Sequence, residues 1–219
     1  MTERSQRGLF LDMDGTIADS LGAMRYAYSR FLAEHGCTGS AEEFERLNGP
    51  SIPEIVLLLK NRYKLTPPVQ TLTEQYDRLI FNVYEGVLPM PGTSQVLSAA
   101  KSRGWSVAVV TSSSCVIACR WLSKNALKAY IDTVVGREQV SRGKPHPDLY
   151  VKALQETGCA ADRSIAVEDS VQGIRAASRA GIRTYLLSTQ PQVICEESAG
   201  VIGGLHVVAE WIAGGRFDV

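Results

Sequence analysis

Hydrophobic and polar positions follow two regimes along this chain. Gly8-Leu9-Phe10-Leu11-Asp12 is a short apolar run that ends in acid, a pattern that predicts a buried strand. From Asp19 to about Tyr84 the spacing is helical. Leu21, Met24, Tyr28, Phe31 and Leu32 recur at close to 3.6 residues within 17–35, and Gly36 closes that helix. Ser40-Ala41-Glu42-Glu43 has the form of a capping box opening a short helix to Leu47. Asn48-Gly49-Pro50-Ser51 breaks the chain, and Pro53 suits the first turn of a helix running to Tyr63. Pro67-Pro68 breaks it again before a helix from about Thr71 to Tyr84, so four helices follow one another as a small bundle.

After Leu88-Pro89-Met90-Pro91-Gly92 the period changes. Apolar runs at 105–111, 133–135, 164–168 and 183–187 read as strands, and amphipathic stretches at 93–103, 115–125, 147–157 and 171–180 read as helices between them. Gly104, Gly158 and Gly181 stand where helices should end. Residues 201–213 fit a short strand or a closing helix equally well. Strand–helix alternation predicts an α/β fold, a Rossmann-like doubly wound parallel sheet. Its first strand would be followed by an inserted four-helix module. The division expected is a core of 1–16 and 88–219 and a helical module of 17–87, with hinges near Thr16–Asp19 and Val87–Gly92.

Bulk properties narrow the function classes. The 219 residues carry 23 Lys+Arg and 23 Asp+Glu, a formal net charge of zero that argues against nucleic acid or an anionic membrane as partner. The polar start, Met1 to Arg7, lacks the apolar stretch of a signal peptide, and no run has the length of a membrane span. Five cysteines, odd in number and without a Cys-x-x-Cys pair, read as reduced residues of a cytoplasmic protein.

Candidate chemistry gathers at strand ends, which in open parallel sheets share one edge. Asp12 and Asp14 flank Met13, with Gly15 and Thr16 behind them. Two carboxylates so close call for a divalent cation between them, although an Asp-x-Asp-Gly surface turn has the same composition. Thr111-Ser112-Ser113-Ser114 offers hydroxyls and helix N-terminal amides to an anion, or a plain Ser cap. Glu168-Asp169 supplies further oxygens suited to Mg²⁺. Lys144, in Gly143-Lys144-Pro145-His146-Pro147-Asp148, would keep the acids ionised and hold a phosphate oxygen, unless it is a solvated lysine before a helix. Arg142 is near enough in sequence to assist. Asn48, Gly49 and Ser51 lie in a loop that is either a substrate contact or an interhelical turn.

In their order, these segments resemble the motifs of the haloacid dehalogenase superfamily, above all its β-phosphoglucomutase-like and phosphoglycolate phosphatase-like branch, over Gly8 to Leu187. The resemblance rests on Phe10-Leu11-Asp12-Met13-Asp14-Gly15-Thr16 with Asp19-Ser20, on Thr111-Ser112, on Gly143 to Asp148, and on Glu168-Asp169-Ser170-Val171-Gln172-Gly173. It implies that the helical module is an α-helical cap. It further implies that Asp12 is a nucleophile forming an aspartyl-phosphate and that Asp14 is the general acid and base. Mg²⁺ would be held by Asp12, Asp169 and the Asp14 carbonyl, with Glu168 as a ligand or beside one. Thr111, Ser112, Lys144 and amides near Gly15 would hold the phosphoryl oxygens.

Asp14 favours phosphate esters over halides, since a halide leaves without a proton. The mutase pattern has a hinge histidine, a cap arginine and a lysine after the second motif. Here those places hold Met24, Ile52 and Ser114, so the expectation is a phosphatase acting on a small phosphorylated metabolite such as a sugar phosphate. A phosphomutase is the alternative. A phosphonate hydrolase is a further one, needing a cap lysine for which Lys60 and Lys64 are available, and a non-catalytic binding protein would lack one of these residues. The expected state is a monomer or weak homodimer.

Overall fold

The computed structural model describes residues 6–47, 50–189 and 195–217. Among the described residues six strands form one sheet: β1 (Gln6–Leu11), β2 (Ser106–Val110), β3 (Thr133–Val135), β4 (Cys159–Glu168), β5 (Arg183–Leu187) and β6 (Val201–Ile202). Every pairing is parallel and the spatial order is β3-β2-β1-β4-β5-β6. All five residues of β2 are buried, as expected where helices cover both faces of a parallel sheet. Alternation along the strands divides the core. Leu9, Leu11, Val107, Val109, Ile165 and Val167 pack into one cluster, and Phe10, Ala108, Val110 and Ala166 into another.

Helices α1 (Leu21–Glu34), α2 (Ala41–Arg46), α3 (Ile52–Tyr63) and α4 (Val69–Val83) come between β1 and α5 (Thr93–Ser102). Then α6 (Cys115–Lys124), α7 (Asp148–Thr157), α8 (Val171–Arg179) and α9 (Leu205–Ala213) complete the chain. Residues of α5, α6 and α9 cover the first face, where α5 and α9 pack together. Residues of α7 and α8 cover the second. Among the described residues no helix is long and apolar enough to cross a membrane.

In the helical block, Leu72, Tyr76 and Ile80 of α4 make a buried stripe at fourfold spacing, against which α1 and α3 pack. Phe31 and Tyr76 meet edge to face with centroids 5.0 Å apart. Of the capping box predicted at Ser40, the Ser40 Oγ accepts from Glu43 N, while the Glu43 carboxylate turns inward instead of reaching back. Pro53 stands in the first turn of α3 as expected, where Ser51 and Glu54 close a capping box that the sequence reading did not mark. Glu43 ties three helices together. It accepts from the hydroxyls of Tyr28 and Tyr63, the latter at 2.5 Å, and its other oxygen lies 2.8 Å from Arg62 Nε.

Boundaries depart most from the sequence reading at the first helix and at β4. The first helix begins at Leu21, not Ile17, because the Met13 carbonyl accepts from the amides of Thr16, Ile17 and Ala18 and turns the chain. The two crossing segments then bond to each other, Asp19 N to Leu88 O at 2.9 Å and Met90 N to Ile17 O at 2.8 Å. Strand β4 starts five residues earlier than the apolar run at 164–168, with a register irregularity opposite Gln6–Gly8. The ambiguous C-terminal stretch holds both elements, a two-residue strand and a helix. The expected turns at Gly104, Gly158 and Gly181 have φ of 71°, 66° and 81°.

Tyr28→Phe should lower unfolding stability by about 2 kcal/mol, since it removes a buried hydrogen bond to a carboxylate. Denaturant unfolding of this variant beside Tyr63→Phe checks it, with the smaller loss expected at the less buried Tyr63.

Candidate active site

Strand order reverses direction of growth at β1, which lies between β2 and β4, so the crevice at the carboxyl ends of these strands is the natural ligand site. Asp12 directly follows β1 and remains in the ladder, its amide donating to Val167 O at 3.1 Å. Glu168 is the last residue of β4 and Asp169 the next. Thr111 follows β2, and its amide donates to Val135 O. Residues more than 150 positions apart in sequence therefore converge because their strands are neighbours in register.

Lys144, joined to Pro145 by a cis peptide bond, enters from the loop before α7 and is buried with its partners. Its ammonium lies 2.5 Å from Asp12 Oδ1 and 2.5 Å from Glu168 Oε1, and donates to Val110 O at 3.1 Å. Tyr150 OH donates to Glu168 Oε1 at 2.5 Å, and the Tyr150 ring faces Lys144 Nζ at 5.6 Å. Ser170 caps α8 by accepting from Gly173 N at 3.0 Å, with its hydroxyl 3.5 Å from Glu168 Oε2. Glu168 thus reaches close to α8: a Cβ on Gly173 would fall 1.8 Å from Glu168 Oε2. At Gly15, φ is +77°, and a Cβ there would fall 2.3 Å from Asp169 Oδ2, so both backbone conformation and the neighbouring acid require glycine.

Charge is out of balance in this cluster. Burial first, then the carboxylates of Glu168 and Asp14, push Asp12 up to about 8 against the pull of Lys144. Burial also raises Glu168, although Lys144 and Tyr150 oppose it. Burial would lower Lys144, but Asp12 and Glu168 outweigh it and hold the ammonium above its ordinary value. One lysine does not neutralise these acids. Carboxylate oxygens of Asp12, Glu168 and Asp169 lie within 4.8 Å of one another, the one such group of three among the described residues. An all-oxygen set with excess negative charge fits a hard divalent cation.

Asp14 stands apart from that group. Its Oδ1 accepts from Ser20 OH at 2.7 Å and from Tyr84 OH, and its Oδ2 accepts from Ser113 OH at 2.9 Å. Burial and the Asp14 charge hold the Tyr84 hydroxyl well above its ordinary value, so it stays a donor. Thr111 is buried under the site, its hydroxyl accepting from Ser113 N at 3.0 Å, while Ser112 faces the cavity above. The cavity is lined below by Asp12, Asp14, Ser112, Lys144 and Asp169, and above by side chains of α1 to α4 and of the loop before α3.

Other expected residues lie elsewhere or are engaged. Ser51 is buried with its hydroxyl 2.5 Å from Glu54 Oε2, and it caps α3 instead of facing the cavity. Asn48 and Gly49 lie outside the described residues. Arg142 is not directed at the site: Asp148 takes both of its contacts, at 2.9 and 3.1 Å. Lys60 donates to the carbonyls of Leu65 and Pro67 at the far end of α3, and Lys64 is that helix's left-handed cap. Sequence reasoning gave no role to Ser20, Tyr84, Tyr150 or Ser170, and it offered the Ser113 hydroxyl to an anion where it in fact serves Asp14. Ser20, Ser113 and Ser170 stand beside the motifs and were within reach of such reasoning. The two tyrosines lie on helices, 70 and 18 residues from the acids they serve.

A family model described as haloacid dehalogenase-like hydrolase matches residues 9–187. The fructose-1-phosphate phosphatase YqaB of Escherichia coli is 30% identical, over 80% of this chain and 93% of that protein. The bifunctional riboflavin kinase/FMN phosphatase of Arabidopsis thaliana is 23% identical over 84% of this chain, which spans 49% of that protein's length. The crystal structure of CbbY from Rhodobacter sphaeroides in complex with phosphate has the same fold, with a TM-score of 0.82 at 22% identity over 98% of this chain and all of that one.

Because the native state holds Asp12 and Glu168 raised, the cation-free protein binds more protons folded than unfolded between about pH 4 and 8. Its stability should fall as pH rises through that window. Thermal melts across it should show the decline, and a divalent cation should reverse it most at the upper end.

Proposed function

The chain belongs to the haloacid dehalogenase-like hydrolases, and on that premise we propose that it is a Mg²⁺-dependent phosphatase acting on a small phosphate monoester through an aspartyl-phosphate. The observation that carries this reading is the buried contact of Lys144 with Asp12, beside the oxygen cluster of Asp12, Glu168 and Asp169. A phosphoryl group needs positioning and positive charge more than covalent chemistry, and this corner of the sheet offers both.

Asp12 is the nucleophile. Its carboxylate attacks phosphorus while Lys144 steadies a phosphoryl oxygen, with Ser112 and the amides around Gly15 binding the others. Asp14 gives its proton to the departing alcohol oxygen and takes one back from the water that cleaves the acyl phosphate on Asp12. The hydroxyls of Ser20, Tyr84 and Ser113 orient that carboxyl group. Asp12, Asp169 and the Asp14 carbonyl would hold Mg²⁺, with Glu168 beside them, and the ion when bound adds the positive charge that keeps Asp12 ionised. Thr111 supports this floor through its bond to Ser113 N.

Residues 17–87 act as the cap over a core of 1–16 and 88–219, excluding water when substrate binds. Hydrolysis is favoured over mutase chemistry because Lys144 is the one cation among the described residues lining the cavity. Sugar phosphates are a natural first set of substrates, given the name of the Escherichia coli relative.

Asp12→Asn should lower phosphate release by about a thousandfold or more in protein that still folds, since Lys144 keeps Glu168 as its partner. Asp14→Asn should lower it to a similar degree on esters of poorly leaving alcohols, and less on p-nitrophenyl phosphate, whose leaving group needs little protonation. Near-full activity of Asp12→Asn in the presence of Mg²⁺ would refute the assignment.

A further inference from the structure

The cavity has two unlike halves. Its floor carries the charged groups Asp12, Asp14, Lys144 and Asp169. Its roof is made by Met24, Phe44, Leu47, Ile52, Ile55 and Tyr76, joined by Leu21 and Pro50. Among the described residues no charged side chain lines that roof, and Tyr76 gives it its one hydroxyl. Two acids of the block near these residues in sequence are engaged elsewhere: Glu43 is turned inward to Tyr28, Tyr63 and Arg62, and Glu54 closes onto Ser51. Lys60 and Lys64 are held at the opposite end of α3.

Resting on the phosphatase reading above, we infer that the roof selects an ester with a single phosphate whose leaving alcohol is uncharged and presents an apolar body. A second phosphate or a carboxylate pressed against Ile52 and Ile55 loses its hydration and gains no partner. Methylene or aromatic surface, by contrast, leaves water for contact with Met24, Phe44 and Ile55. Specificity of this kind is a property of α1, α2 and α3, while the phosphoryl chemistry stays on the sheet edge.

The test is phosphate release from ethyl, butyl and hexyl phosphate, with fructose 1-phosphate, a sugar bisphosphate and p-nitrophenyl phosphate alongside, all with Mg²⁺. Within the alkyl series kcat/KM should rise by about two- to fourfold per added methylene. The bisphosphate should be the poorest ester. Met24 is half-buried, so Met24→Lys should fold. It should flatten the alkyl series and raise turnover of the bisphosphate. Leu21→Gln, at a position 39% exposed, gives the same flattening without a new charge and serves if the lysine variant is unstable. A flat alkyl series, or preference for the bisphosphate, on an enzyme that hydrolyses p-nitrophenyl phosphate overturns the inference alone. Release from none of the esters by folded protein overturns the phosphatase reading, and this inference with it.

Discussion

The ammonium of Lys144 between Asp12 and Glu168 is the contact on which this architecture turns. All three groups are buried, and a carboxylate placed there without a partner would cost several kcal/mol. The contact joins the ends of β1 and β4 to the loop before α7, which are distant in sequence and adjacent only when the sheet order is correct. Excess acid remains even so, and it makes the corner receptive to a hard cation instead of self-sufficient. Stability and reactivity draw on the same groups here, as is common where titratable residues are held away from their ordinary protonation.

Much of this was legible because each strand carries its chemistry at one end. The run Leu9-Phe10-Leu11 followed by Asp12 announces both a buried strand and the acid at its tip, and Val167-Glu168-Asp169 does so again. Periodicity also placed α3 and α6 well, since their apolar stripes are regular and their caps recognisable. It failed at Ile17 and Ala18, whose burial comes from a turn around the Met13 carbonyl and not from a helix. It also missed the polar first half of β4, Ala160 to Arg163, which spans the register irregularity between the Gln6–Cys159 and Gly8–Ser164 pairs and carries no apolar signal. The tyrosines at 84 and 150 illustrate the deeper limit. Nothing local marks them, because their hydroxyls matter only after two elements have packed.

Asp14 occupies the junction between sheet and helical block. Ser20 comes from one crossing segment, Tyr84 from the turn that ends α4, and Ser113 from the loop after β2. The crossing segments are themselves laced together by Asp19 to Leu88 and Met90 to Ile17. One apolar cluster also includes Leu9 and Val107 of the sheet with Phe31 and Tyr76 of the block. The helices that roof the cavity are therefore set by the same short stretch that positions this carboxyl group.

The approach of Glu168 to Gly173 has an evolutionary corollary. With the carboxylate filling the place where a side chain would begin, no residue larger than glycine can be adopted at 173 until the acid itself is shortened or turned away. Shortening the acid would strip Lys144 and Tyr150 of an acceptor, and Ser170 answers to both the acid and the helix start. Glu168, Ser170 and Gly173 therefore constrain one another, and a change at one calls for an answering change at another.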